Sequence, residues 1–392
     1  MSFQQKINAI RDLLIREVRI MVQRPIYIVA SVAVMIFNIF FYLTLMQDGL
    51  PHDLPIGVVD LDNSSTSRSF SQQLDATQLG AVVKYTDLHE ARIDMQRGHI
   101  NGYVLIPEGF NADIQANRRP TMSYYVNTLY FVGGSLAWKD MLQMINLTNG
   151  AVQRQVLRAK GVNEAEIMNR IQPIRLDQHQ IGNVTTHYNV YLCNILLPGI
   201  LQMIVILITI YTLGTELKYG TSKHLMRSAG DSIEVALLGK LIPYTLIFTV
   251  LGIITLMVLY VWMNFPLAGS IGNMFIAMLL LVASAEAVGI FIVSMIPVLR
   301  LAISIGAIYS VLAFSLTGFT LPVQVMPTYI QSFSMAFPLR HYYLFYVQEA
   351  IFASGFAGWW KEVIHLLVFL VLPPLSMWRL ADAYRHQNYK TE

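Results

Sequence analysis

Residues whose type could support chemistry are few in this chain and stand far apart. Glu286 is an acid that closes an uncharged run beginning at Leu241. A carboxylate in hydrocarbon costs about 2.5–3.5 kcal/mol on insertion scales, so it must be paired, protonated or turned to water. A hydrogen-bonded structural role is its first reading, gating or substrate handling its second. Asn38 lies midway along another uncharged run and is expected to hydrogen bond between helices, with substrate contact as the alternative. The turn Asp60-Leu61-Asp62-Asn63-Ser64 has the acids of a calcium loop but lacks its glycine at the sixth position and its glutamate at the twelfth. It reads as a strand-to-helix turn closed by an N-cap. The nine histidines include no i,i+4 pair and show no carboxylate companion at metal-ligand spacing, so no metal is expected. Cys193 is the sole cysteine, which excludes an intrachain disulfide. Gly239–Lys240 is followed by leucine, and neither a GxxxxGK(S/T) loop nor a nucleophile elbow occurs. The chain is therefore not expected to be an enzyme or to hold a cofactor.

Composition says what must position these residues. Of 392 residues, 55% are hydrophobic and 13% charged, against about 25% charged in a soluble domain. This is the composition of a membrane protein. The charges are uneven: residues 47–188 hold 26 of the 51. A net charge of +3 without a basic block gives no footing for nucleic acid.

In chain order, residues 1–24 read as an amphipathic helix along the membrane face, with Ile7, Ile10, Leu14, Val18 and Met21 at helical spacing among five basic residues. Residues 25–47 form a first span, starting at Pro25. Residues 48–188 then form an α/β domain. Its expected strands are Ile56–Val59, Ala81–Tyr85, Gly102–Ile106 and Met122–Val126. Its expected helices are Ser64–Asp75, Leu88–Arg97, Pro107–Asn117 and a long stretch Trp138–Ile171 interrupted near Gly161. Further spans are expected at 189–213, 241–263, 271–296, 301–321 and 361–378. A turn is expected between Asn264 and Ser270, and the tail is 379–392. Residues 322–345 are uncharged up to Arg340 but broken by Pro322, Pro327 and Pro338 after Gly318. They read as re-entrant or outer helices, since irregular backbone at that depth must rest on protein or line a cavity. The fold class is an all-α polytopic membrane protein of six transmembrane helices with an inserted α/β extracytoplasmic domain. Thirteen lysines and arginines, including Arg379, Arg385 and Lys390 of the tail, fall in segments read as inside. Only Arg340 and Lys361 fall in short outer ones. Both termini are thus expected in the cytoplasm and 48–188 outside.

The segment 214–240 joins two spans on the inner side. Thr221 or Ser222 is expected to cap a short helix through Met226 and Arg227, ended by Gly230. Asp231 is expected to cap the next helix, with Glu234 as its reciprocal partner. The short helix is expected to display Leu225 and Met226 among Lys223, His224 and Arg227. Its plain reading is a capped connector.

As a set, these features resemble the permease subunit of ABC exporters of the ABC-2 type. The resemblance covers essentially the whole chain: a basic amphipathic N-terminal helix, one span and a large exported domain. To these it adds Glu216, Gly220–Thr221 and Leu238–Gly239–Lys240 around the inner helix, and Gly318, Pro322, Met326–Pro327 and Phe337–Pro338–Leu339. It implies that the inner helix is a coupling helix docking on a separate ATPase subunit that carries ATP and Mg²⁺. Glu216, Lys218, Gly220, Thr221, Leu225, Met226, Arg227 and Lys240 then belong to the coupling segment. Asn38, Glu286, Gly318, Pro322, Pro327 and Pro338 become candidates for the translocation path or gate. It further implies a dimer with a second permease subunit, placement in the cell's inner (plasma) membrane, and work with a periplasmic adaptor and an outer-membrane channel. Apolar spans favour hydrophobic or amphipathic cargo, such as drugs in efflux. Two other classes compete: an ion-coupled secondary transporter using Glu286, against which no inverted repeat is visible, and a non-transporting receptor or scaffold.

Overall fold

Serine, proline and glycine set where the helices start and stop. The computed structural model describes residues 2–47, 49, 53–77, 80–116, 118–129, 131–174, 177, 179, 181–184 and 186–387; Asn117 and Lys390, named above, lie outside these. Helix α1 (Phe3–Gln23) opens on a capping box, in which Ser2 Oγ accepts from the Gln5 amide and Gln5 Oε1 from the Ser2 amide. Its buried stripe is Ala9, Leu13, Glu17 and Met21. Ile7 and Val18, of the set expected to face the membrane, are exposed and lie away from this stripe. The helix has two apolar edges, and the one that packs inward is the one whose neighbour is a glycine. A Cβ on Gly239 would meet Leu13 Cβ at 2.6 Å. After Pro25, α2 (Ile26–Ile28), a π-helical turn Val29–Ala33 and α3 (Val34–Leu45) run on without a break.

Two units follow from the contacts: Leu50–His179, and the remainder, Met1–Gly49 with Gln180–Glu392. The first unit runs β1 (Leu54–Asp60), α4 (Ser65–Asp75), β2 (Gly80–Tyr85), α5 (Leu88–Arg97), β3 (Gly102–Ile106), α6 (Phe110–Gln115), β4 (Ser123–Val126), α7 (Phe131–Ala159) and α8 (Glu164–Ile171). The sheet order is β2-β1-β3-β4, with β1 parallel to β2 and β3, and β4 antiparallel to β3. Strand side chains alternate between its faces. Ile56, Val58, Val104 and Ile106 pack with Phe70, Leu74, Phe110 and Met141 on one side. Val59 and Tyr103 pack with Ala91 and Ile100 on the other. The acidic turn after β1 is consumed by local bonds. Asp60 accepts from the amides of Asp62 (3.1 Å) and Asn63 (3.0 Å) and from the Ser67 hydroxyl (2.7 Å), while Ser64 caps α4.

The second unit continues with α9 (Tyr188–Lys218), α10 (Ser222–Ser228) and α11 (Ile233–Met257), which passes into a π-helical end Val258–Trp262. Next come α12 (Ile271–Met295), α13 (Leu299–Ser315), a 3₁₀ turn Val323–Val325, α14 (Thr328–Ser334) and α15 (Pro338–Tyr346) with a π-helical end Val347–Ile351. Last are α16 (Phe356–Phe369) and α17 (Leu372–His386). Helix α9 lies at the centre: Leu201, Val205, Ile206 and Ile210 pack with Phe248 of α11 and Leu281, Val282 and Ala285 of α12. By length and composition, Tyr188–Lys218, Ile233–Trp262, Ile271–Met295 and Phe356–His386 can each cross a membrane; Val29–Leu45 and Leu299–Ser315 are shorter apolar helices. The molecule is thus predominantly helical with several apolar helices and one small sheet. The span expected at 361–378 falls within the apolar stretch Phe356–His386, which is built from two helices. It divides at Leu370–Val371, because Pro373 and Pro374 have no amide hydrogens to carry the helical ladder across. Where residues 318–338 were expected to break, they break: Gly318 has φ +92°, Pro322 precedes the 3₁₀ turn, Pro327 precedes α14, and Pro338 opens α15. Glu349, buried beside this segment, accepts from the Ser270 amide (2.7 Å), Asn273 (2.8 Å) and the Trp359 indole (2.9 Å).

Candidate functional site

Helix α10 is short because its ends are fixed locally. α9 closes with Gly220 at φ +75°, and the Thr221 amide bonds back to the Glu216 carbonyl at 2.9 Å. A glycine suits this left-handed C′ position, where any Cβ is strained. α10 then runs seven residues and closes with the Asp231 amide on the Met226 carbonyl. Asp231 itself takes φ +59°, so it does not cap α11 as expected; Ser232 occupies that N-cap, without a side-chain bond. The expectation that α10 displays Leu225 and Met226 is also corrected. Both are 1% exposed and sit in a core with Leu213, Leu217, Val235, Ala236, Leu380 and Tyr384. The outward residues are Lys223, His224, Arg227 and Ser228. A helix between two core-forming helices has apolar neighbours within reach, and it buries its apolar pair against them rather than in water. Ser222 Oγ donates to the Tyr384 carbonyl (3.1 Å), and Tyr384 Oη to the Leu213 carbonyl (2.8 Å), which ties α17 to both α10 and α9.

Directly beside α10 lies a buried charge cluster drawn from three helices. Lys240 Nζ of α11 donates to Glu17 Oε2 of α1 and Glu216 Oε1 of α9, both at 2.8 Å. Arg16 holds Glu216 through two bonds of 3.1 and 3.3 Å. Tyr244 and Thr212 hydroxyls donate to Glu17 Oε1 at 2.9 and 3.2 Å, and Thr221 donates to Glu216 Oε2. Glu17, Glu216 and Lys240 are 1, 4 and 2% exposed at their side chains, and Arg16 24%. Two cations thus meet two anions, and each carboxylate has several donors, the condition for a buried ion pair to be tolerated. Glu216, Thr221 and Lys240 come together here from among the expected residues. Glu17 was missed. Its signal is an acid four residues from both Leu13 and Met21, on the stripe that α1 buries. Lys218 stays outside the cluster, exposed beside the Tyr219 ring.

The other expected residues lie elsewhere. Asn38 donates to the Val34 carbonyl one turn back, rather than across helices. Both carboxyl oxygens of Glu286, in α12, face the Thr245 hydroxyl of α11 at 3.0 and 2.8 Å. The histidine reading is corrected too: Glu362 stands three residues before His365, and both meet His341 of α15. The i,i+3 spacing was legible; the third member, distant in sequence, was not.

Residues 25–376 match the family profile described as ABC-2 family transporter protein. A comparison with curated proteins finds no match.

Proposed function

Because the chain belongs to the ABC-2 family of transporter proteins, a family of membrane transport components that act with an ABC ATPase, we propose that it is the permease of an exporter driven through α10. The observation that carries this reading is the division of α10 into two sides. Leu225, Met226 and Ser222 fix it to α9, α11 and α17, while Lys223, His224, Arg227 and Ser228 remain outward. A cleft on the ATPase subunit would grip the outward side. Glu216, Thr221 and Lys240, with Glu17 and Arg16, would carry its displacement into α1, α9 and α11, and Gly220 supplies the tight turn. Such a drive works only through the partner's different affinity for two packings of these helices.

In this proposal six spans cross the cell's inner membrane with both termini inside. Leu50–His179 lies outside, α1 rests its exposed apolar edge on the inner face, and a second permease subunit completes the path. Gly318, Pro322, Pro327 and Pro338 would shape the outer gate, and the cargo would be apolar or amphipathic. A periplasmic adaptor and outer-membrane channel would continue the route. The test is capture of a co-expressed ABC ATPase subunit by the tagged, full-length permease. The double variant Lys223→Glu, Arg227→Glu should insert normally and lose at least about tenfold in ATPase affinity, ~1.4 kcal/mol, together with export. Unchanged capture and export would overturn coupling through this side of α10.

A further inference from the structure

We propose that His341, Glu362 and His365 form a binding site for a divalent transition ion of the zinc class, which fastens α15 to α16. The three side chains offer two imidazole nitrogens and one carboxylate oxygen. His341 Nδ1 lies 2.8 Å from Glu362 Oε2, and His365 Nδ1 lies 3.9 Å from the same oxygen. Those separations bracket the ~3.4 Å expected between ligands of a tetrahedral ion at bond lengths of about 2.0–2.1 Å. The imidazole rings lie nearly parallel, 4.6 Å apart.

Hydrogen bonding fixes which atoms are free to ligate. His341 Nε2 faces the Met335 carbonyl at 3.0 Å. A carbonyl only accepts, so this nitrogen keeps its proton, and Nδ1 supplies the lone pair once its bond to Glu362 is exchanged for the ion. A backbone carbonyl holding the far N–H of a ligating histidine is the usual outer support of such sites. His341 is 1% exposed, so its ring cannot swing away. His365 Nδ1 is buried and has no hydrogen-bond partner among the described residues, although it faces the same oxygen. A buried polar atom left without a partner asks for one. Arg340, next to His341, interacts electrostatically with Glu362. Two nitrogens and one oxygen suit Zn²⁺, Co²⁺ or Ni²⁺ rather than Mg²⁺ or Ca²⁺, which take oxygen shells. A fourth position stays open to water.

The test uses the full-length protein in detergent, without a polyhistidine tag, stripped with chelator and titrated with Co²⁺ and then Zn²⁺. Wild type should take up one Co²⁺ per chain with visible d–d absorption that Zn²⁺ abolishes. His365→Gln and Glu362→Gln, both at partly exposed positions, should each weaken binding by at least the roughly tenfold that losing even an outer hydrogen-bond partner costs. X-ray absorption of zinc-loaded wild type needs no variant and should show imidazole scattering with N/O neighbours at about 2.0–2.2 Å. No uptake, equal uptake by wild type and variants, or a spectrum without imidazole would overturn the site and leave His341–Glu362 as a buried pair alone.

Discussion

Lys240 carries its ammonium into a place that is 2% exposed, and two carboxylates compete for it there. Replacing it with methionine leaves Glu17 and Glu216 facing one cation, Arg16. Removing one partner of a buried ionic group typically costs about 3–5 kcal/mol. Lys240→Met should therefore lower the unfolding midpoint in detergent strongly. Adding Glu17→Leu restores charge balance as an Arg16–Glu216 pair, and Tyr244 and Thr212, 3.4 Å apart, can then bond each other. The double variant should recover most of the loss, and a double-mutant cycle reads that coupling. Glu216 and Lys240 were legible through the family resemblance, as residues flanking the short connecting helix. Glu17 was not, because its partners lie 195 to 227 residues away in the chain. Periodicity reports that an edge of α1 is apolar, not which edge meets another helix.

For the helices and strands, the legible features were the local ones. Thr221, Ser222 and Gly230 mark the ends of α10, and the succession of strand-like and helix-like runs places all four strands of the sheet within a few residues. The burial of Leu225 and Met226 was not legible, since seven residues make two turns and two turns define no face. The consequence is measurable. Leu225→Ala opens a cavity in the core shared with Leu217, Val235 and Tyr384 and should destabilise the protein by about 2–5 kcal/mol. Thermal unfolding of the purified subunit checks this. Any loss of transport at this position should track loss of folded protein, whereas substitution of outward Lys223 or Arg227 should leave the fold within about 0.5 kcal/mol of wild type.

For the molecule as a whole, composition alone separated a charged stretch from apolar ones, and the contact-defined unit Leu50–His179 falls within that stretch. The break between α16 and α17 was present as Pro373–Pro374, but hydropathy averages across a backbone defect that removes no apolar side chain. Substitution of Glu286 tests how the whole molecule is energised. Among the described residues it has no cationic partner, and its bonds to Thr245 tie α12 to α11. A carboxamide has nearly the same shape and still accepts from Thr245. Glu286→Gln should cost about 0.5–1.5 kcal/mol of stability at most, the worth of one ordinary hydrogen bond. ATP-dependent export in vesicles should persist, with ATP turnover still coupled to it. A carrier driven by an ion gradient would behave oppositely, because glutamine cannot cycle a proton: transport would stop while the folded subunit and its ATPase contact remained. Export abolished by this one substitution, in protein of normal stability, would shift the drive from α10 to the middle of α12.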